Sequence, residues 1–123
     1  MPVKLQPYQS IYHLNAPSPA GVYCGYLPGT LSVSTQYGQR GYVHKKSKAG
    51  RAYCRVGTAP TGASLIVSFR TVVGFALIAT VTITAGNTSA STASAAIPVG
   101  WVYITITQVG STIPGADLSW SVG

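Results

Sequence analysis

The sequence has almost no acidic side chains. Its 123 residues include one carboxylate side chain, Asp117, against eight lysines and arginines, which gives a formal net charge of +7. Glycosidases and aspartic proteases work with a pair of carboxylates in one site. A chain with a single acidic residue cannot assemble that pair within one subunit, so both mechanisms are excluded for it and we expect no enzymatic activity.

The features of a metal site or a membrane span are also missing. The histidines, His13 and His44, and the cysteines, Cys24 and Cys54, do not form the close C-x-x-C or H-x-x-x-H pairs that are typical of zinc ligands. The longest strongly apolar run, 72–79, is much shorter than the roughly 20 residues that a membrane helix needs. We expect no metal, no cofactor, no small-molecule substrate and no membrane partner.

The cysteines leave two interpretations open. Cys24 and Cys54 lie thirty positions apart, and a disulfide between them would tie the N-terminal segment to the rest of the domain. Two buried thiols are the equal alternative, since spacing does not give the distance that a disulfide requires. A protein made in a reducing compartment would form the bond only after release from it.

The N-terminal residues 1–27 show no sustained hydrophobic period. Four prolines interrupt any helix or central strand in this segment. Tyrosines between and after them, among them Tyr8, Tyr12 and Tyr23, supply large contact surfaces with a polar end. We interpret the segment as an extended arm that lies along a neighbouring subunit, and a coil packed on its own domain is the alternative.

After the arm, the hydrophobic period is two, which is typical of strands with one buried face. In 101–109, for example, Val102, Ile104 and Ile106 alternate with polar or aromatic residues. The same alternation predicts strands over 30–34, 51–56, 63–69, 75–84 and 116–122. We interpret the low-complexity residues 84–96 as a loop followed by an edge strand.

These short strands are separated by glycine- and proline-rich turns, and no segment has a helical period. The sequence therefore predicts an all-β protein. Its two parts are an extended, Pro/Tyr-rich N-terminal arm over 1–27 and an antiparallel, jelly-roll-like β-sandwich domain over 28–123.

Six of the eight cations lie in one basic stretch, 40–55. This stretch is compatible with a nucleic-acid surface or with docking on an acidic protein partner. It is also compatible with a solvated hairpin over 43–52 that keeps a protein with few other charged side chains soluble. No recognised nucleic-acid-binding module surrounds it, which disfavours nucleic acid as the partner. For docking, the candidate side chains are Lys45, Lys46 and Arg51, together with the tyrosines Tyr8, Tyr12 and Tyr23.

The two tryptophans are expected to have different roles. Trp120 falls on the inward face of the last predicted strand and is expected in the core. Trp101 follows a Pro-Val-Gly turn and is the better candidate for an exposed ring. Exposed aromatic rings, Tyr103 being a further candidate, are the platforms on which glycan-binding proteins stack sugars.

Four segments follow one another in a distinctive order: 27–33 (LPGTLSV), 54–67 (CRVGTAPTGASLIV), 82–86 (TITAG) and 106–118 (ITQVGSTIPGADL). They resemble a β-sandwich module that recurs in virion proteins of tailed bacteriophages. In that module a V-G-T-A-P-T-G-x-x-L turn follows one strand, and a Q-V-G-S-T turn precedes the last strand. The resemblance covers about residues 27–122.

The resemblance implies a non-enzymatic virion structural protein. The short chain, without a fibre shaft or repeat, favours a capsid decoration or cement protein. Such a protein would be made in the host cytoplasm, form a homotrimer on the capsid exterior, bind the major capsid protein and stabilise contacts between capsid subunits. The alternative is a tail, neck or head-fibre component, or an adhesin that binds a host surface glycan or receptor.

Overall fold

The structure, a computed structural model, describes residues 23–34 and 40–123. In these residues the chain forms eight strands: β1 (Tyr23–Thr30), β2 (Gly41–Val43), β3 (Arg51–Thr58), β4 (Leu65–Thr71), β5 (Leu77–Ile83), β6 (Ser89–Ala93), β7 (Gly100–Gln108) and β8 (Ala116–Val122). The described part of the chain contains no helix of the length and apolar character needed to cross a membrane. The all-β prediction is confirmed.

The strands form two four-stranded antiparallel sheets, in the orders β1-β8-β3-β6 and β2-β7-β4-β5. One long hairpin accounts for four of the strand pairs, namely β1–β8, β2–β7, β3–β6 and β4–β5. Two of these pairs belong to one sheet and two to the other. This wrapping of a long hairpin is the jelly-roll arrangement. The predicted antiparallel, jelly-roll-like sandwich is therefore confirmed.

The core lies between the two sheets and is filled by alternate residues of their strands. In β4, Leu65, Val67 and Phe69 are fully buried, as their alternation predicts. In β3, residues 52, 54 and 56 are buried while their neighbours are exposed. Complete burial of one aliphatic or aromatic side chain stabilises the fold by about 1.5 to 3 kcal/mol relative to exposure. The period-two pattern thus accounts for the main packing energy.

Two predicted segments differ from the structure. Leu31 is buried, but Val33 is 59% exposed, because the chain leaves β1 after Thr30 and makes only a bridge from Ser34 to Ile106 of the other sheet. The basic residues 43–52 are not a hairpin. Strand β2 pairs with β7, whereas β3 pairs with β6 and β8, so this segment crosses from one sheet to the other.

The first strand begins inside the segment that the prolines assign to the arm. Residues Tyr23–Leu27 pair with β8, so the sheet starts before residue 28. Pro28 fits because β1 is an edge strand whose register shifts between Leu27 and Thr30. Residues 1–22, with Tyr8 and Tyr12, lie outside the described residues, and the arm stays a prediction.

One end of the sandwich collects the loops 44–50, 72–76 and 94–99. Ser47 donates a backbone hydrogen bond to Ile97 (3.0 Å), and Ala95 donates one to Ile78 (2.8 Å), beside the β4–β5 hairpin. The Arg51 N–H donates to the carbonyl of Gly123 at the same end (3.3 Å). We call this the charged end, because Lys45, Lys46, Lys48 and Arg51 lie on it.

The opposite end collects the loops 59–64, 84–88 and 109–115. Here Thr61 donates to the carbonyl of Ile113 (2.9 Å), and Gly86 donates to that of Pro60 (2.7 Å). None of these three loops contains a charged residue. We call this the neutral end.

Candidate functional site

The cations predicted to dock on a partner lie together on the charged end. Lys45 and Lys46 are exposed in the connection that crosses between the sheets. Arg51 is exposed at the start of β3, where its guanidinium donates a hydrogen bond to the Ser91 hydroxyl (3.1 Å). The crossing connection, rather than a hairpin, is what places these side chains at one end.

Tyr23 also lies at the charged end, but its side chain faces the core. Its ring is 4% exposed, packs edge-on against Phe69 at 6.3 Å between centroids, and lies 5.9 Å from the ring of Trp120. Burial raises the pKa of its hydroxyl above the ordinary value. Because β1 pairs along β8 from its first residue, Tyr23 acts as a core residue rather than as a contact residue.

The tip of the β4–β5 hairpin, at the charged end, carries three exposed apolar side chains. Val73, Phe75 and Leu77 are 85%, 58% and 49% exposed. Sequence reasoning placed 75–84 in a strand and did not single out these residues. The sequence feature that indicates the turn is Gly74, which interrupts the apolar run 72–79. In the structure Gly74 has a positive φ, which glycine adopts readily.

The hairpin tip is held in place by its neighbours. The Thr71 hydroxyl donates to the carbonyl of Val73 (2.8 Å) and accepts from the N–H of Ala76 (3.0 Å). The guanidinium of Arg70 donates to the carbonyl of Phe75 (3.1 Å). Phe75 has a φ of 52°, a left-handed conformation that a bulky residue adopts only when its surroundings impose it.

A row of aromatic rings joins the hairpin tip to the basic connection. Val72 donates a backbone hydrogen bond to Trp101 (2.9 Å). The Trp101 ring packs edge-on against Tyr42 at 5.2 Å, and Tyr42 packs against His44 at 4.9 Å. Trp101 is 50% exposed and Trp120 lies in the core, both as expected. The expected exposure of Tyr103 is wrong, since its side chain is buried.

An apolar groove of about 400 Å³ lies between these elements. The hairpin forms one wall with Ala76 and Leu77, and the 94–99 connection forms another with Ile97 and Pro98. Lys46 lies at the edge of the groove. The charged end therefore presents apolar and cationic groups side by side.

The acid of the chain is far from these cations. Asp117 lies at the start of β8, beside the neutral end, and its carboxylate accepts a hydrogen bond from the N–H of Gly29 (2.9 Å). Partial loss of hydration, and then the Asp117 carboxylate beside it, raise the pKa of the half-exposed Tyr26 hydroxyl. The chain thus contains no other acidic side chain that could neutralise Lys45 and Lys46.

Cys24 and Cys54 are free, and only Cys54 is buried. They lie on β1 and β3, which flank β8 on opposite sides, so two strand spacings of about 4.8 Å each separate them. Cys24 is opposite Ser121 and Cys54 is opposite Trp120, which puts their side chains on opposite faces of the sheet. Both interpretations of the cysteines are therefore wrong: the two thiols are not bonded to each other, and one of them is exposed.

The two turn motifs, within 56–65 and 108–112, pack against each other at the neutral end. The carbonyl of Thr61 accepts a hydrogen bond from the Thr112 N–H (3.0 Å), and its hydroxyl accepts one from the Ile113 N–H (3.1 Å). A Cβ on Gly110 would collide with the carbonyl of Ile113. The glycines of these motifs therefore have a structural role in closing this end.

Comparison with known proteins adds no relative: no family model, curated protein or solved structure matches the chain. The described residues contain no group of three or more side chains suited to hold a metal ion. The candidate site is therefore the surface of the charged end, defined by the exposed apolar hairpin tip, the aromatic row and the lysines.

Proposed function

We propose that this chain is a non-enzymatic structural protein of a tailed-bacteriophage virion, a decoration protein that binds the outer capsid surface. The observation that carries the proposal is the charged end, where lysines, exposed aromatic rings and an apolar groove lie together. The chain has no matching acids of its own, so this surface is complementary to an acidic partner. The major capsid protein is the partner that the four resembling segments imply.

The jelly roll supports this proposal only as an analogy. Eight-stranded jelly rolls occur in viral capsid proteins and in lectins, and a fold alone does not determine function. A decoration protein needs no reaction centre. It stabilises a shell by burying surface across subunit boundaries, and a homotrimer gains further affinity because its three copies bind together.

The copy number of this chain in purified virions tests the proposal. Quantitative mass spectrometry against the major capsid protein is expected to give a ratio approaching one copy per capsid subunit. A handful of copies per particle would instead indicate a tail or fibre component. Complete absence from particles would contradict the virion assignment.

A host-binding adhesin is the second candidate, and the pair of Trp101 and Tyr42 favours it. These rings are half exposed and adjacent, an arrangement on which a sugar can stack. Titration with host surface polysaccharide, followed by tryptophan fluorescence, tests this candidate. Saturable quenching that Trp101→Ala abolishes would support it, and an unchanged spectrum would contradict it.

A further inference from the structure

We infer that the β4–β5 hairpin tip, residues 72–77, is the apolar anchor of the charged end, and that its occupant is an acidic protein surface with an apolar pocket. This inference rests on the proposed function and specifies which residues of the domain engage the partner. The anchor side chains are Val73, Phe75 and Leu77, none of which is charged.

The hairpin tip exposes apolar side chains to solvent. Three large apolar side chains, Val73, Phe75 and Leu77, are exposed at one hairpin end, and Leu77 lines the apolar groove. Exposed apolar side chains clustered in this way mark interaction sites on proteins. In protein interfaces a few buried side chains of this type carry most of the binding free energy, surrounded by a polar rim.

The tip is also ordered before any partner binds. Both hydrogen bonds of the Thr71 hydroxyl and the Arg70 bond to the Phe75 carbonyl fix its backbone. A contact surface that is already in one conformation loses less entropy on binding. Phe75 is exposed in its left-handed conformation, and it lines a second apolar groove beside Val33 and Arg70.

The charge around the tip determines the chemistry of the partner. Lys46 lines the same groove as Leu77, and Lys45 and His44 lie next to it in the sequence. A second copy of this chain would bring the same cations against each other across the groove, and like charges in contact disfavour an interface. An acidic surface removes this repulsion and speeds association.

A protein fits the tip better than a nucleic acid does. Phosphate contacts use lysines and arginines, and bases stack on aromatic rings, but aliphatic anchors such as Val73 and Leu77 contribute to neither. A protein surface with an apolar pocket between acidic side chains would contact both the apolar tip and the cations around it. The experiment below also tests binding of nucleic acid, which would contradict this choice of partner.

The test is binding of the purified full chain to particles assembled without it. The apolar variant combines Val73→Ser with Phe75→Asn, because asparagine tolerates the left-handed conformation. The charge variant is Lys46→Glu. Their matched controls are Ile113→Ser, an exposed apolar residue of the neutral end, and Arg55→Glu, an exposed cation of β3.

We expect the apolar variant to lose at least about tenfold in affinity for the particles and Lys46→Glu to lose about threefold or more at low salt. The two controls should stay within about twofold of the unchanged protein, since they lie outside the interface. Circular dichroism melting verifies that each variant remains folded.

Two outcomes would overturn the inference while leaving the proposed function intact: an apolar variant that binds like the unchanged protein, or a control that loses as much affinity as the tip variants. Binding of the unchanged protein to single-stranded DNA that is as tight as its binding to particles, and that Lys46→Glu alone weakens, would replace the protein partner by nucleic acid. No binding of the unchanged protein to particles would contradict the proposed function itself.

Discussion

The charged end and the neutral end of the sandwich close the same eight strands in different ways. At the neutral end the loops bond to one another through Thr61, Pro60 and Ile113, and they carry no charge. At the charged end hydrogen bonds also join the loops 44–50 and 94–99, but the first of these loops carries lysines, exposed apolar side chains lie beside them, and a groove runs along the β4–β5 hairpin. Both ends therefore close the fold, but only the charged end combines exposed lysines with an apolar groove among the described residues.

The comparison shows where backbone constraints concentrate. Gly62 has a positive φ and faces Ser111 and Thr112 so closely that any side chain would displace them. Gly74, at the charged end, also has a positive φ but has open space around it. The neutral end is constrained by packing and conformation together, whereas the hairpin tip is constrained by conformation alone.

The two phenylalanines of the chain give the largest expected difference between interior and surface. Phe69→Ala removes a fully buried ring and should lower the free energy of unfolding by about 3 to 5 kcal/mol. Phe75→Ala removes an exposed ring and should change it by about 0.5 kcal/mol or less. Urea denaturation of both variants measures the difference, and equal losses would contradict the surface position of Phe75.

The dependence of stability on alkaline pH tests how deeply the core between the two ends is buried. Burial raises the pKa of the Cys54 thiol from 9.0 to about 12. Below pH 9 the thiol is protonated in both states, so its contribution to stability is complete. Above pH 9 only the unfolded chain loses the proton, and stability should fall by about 1.4 kcal/mol per pH unit until the folded pKa is reached.

The control for this pH dependence is Cys54→Ala. It should remove most of the loss between pH 9 and 10, because the Tyr23 hydroxyl, with an ordinary pKa of 10.0, titrates less than the thiol in the unfolded chain over this range. Denaturant melts at several pH values provide the measurement. An identical slope in the variant would contradict the burial of the thiol as its cause.

A pair of glycine substitutions compares the two ends directly. Gly110→Ala places a methyl group against the carbonyl of Ile113 and 2.8 Å from the Thr61 N–H nitrogen, and we expect a loss of about 2 to 3 kcal/mol. Gly74→Ala meets no atom within 4 Å and should cost only about 1 kcal/mol, for its left-handed conformation. Thermal melts that rank them in the opposite order would refute the closure role of the neutral end.

Thiol labelling gives the smallest effect and needs no variant. Cys24 is exposed and should react with a maleimide in the native protein, whereas Cys54 is buried with a raised pKa and should react only in denaturant. Mass spectrometry should find one label on the native chain and two on the unfolded chain. Two labels on the native chain would show that the core opens readily.

Much of the sandwich was predictable because a strand with one buried face has apolar residues at every second position of its sequence. The last strand lies at 116–122 as expected, and Leu65, Val67 and Phe69 face the core. The edge strand β6 (Ser89–Ala93) lies in the segment interpreted as a loop and edge strand. The strands β1 and β2 were not predicted, so the pairing order of the sheets comes from the structure alone.

The rest depended on contacts between distant residues. Alternation placed Val33 inward, but the bridge of Ser34 to Ile106 turns the chain away from β1. The basic connection had the composition of a hairpin, although its flanking strands join different sheets. Tyr23 was predicted to be a contact residue of the arm, because its sequence neighbours do not show that it pairs with Val122 and packs beside Trp120.

The candidate site was predictable in charge but not in shape. The basic stretch indicated Lys45, Lys46 and Arg51, and these do lie at one end. The apolar tip was missed because an apolar run beside a strand normally continues it into the core. Only the position of the turn at Gly74 separates buried Phe69 from exposed Phe75.

The orientation of the domain on the particle tests the central claim most directly. A cryo-EM reconstruction of virions that contain this chain would show which end of the jelly roll faces the shell. We predict that the charged end is seated on the capsid, with the hairpin tip in an apolar pocket between acidic side chains and the neutral end directed toward solvent. A reconstruction with the neutral end on the shell and the hairpin tip in solvent would contradict this account.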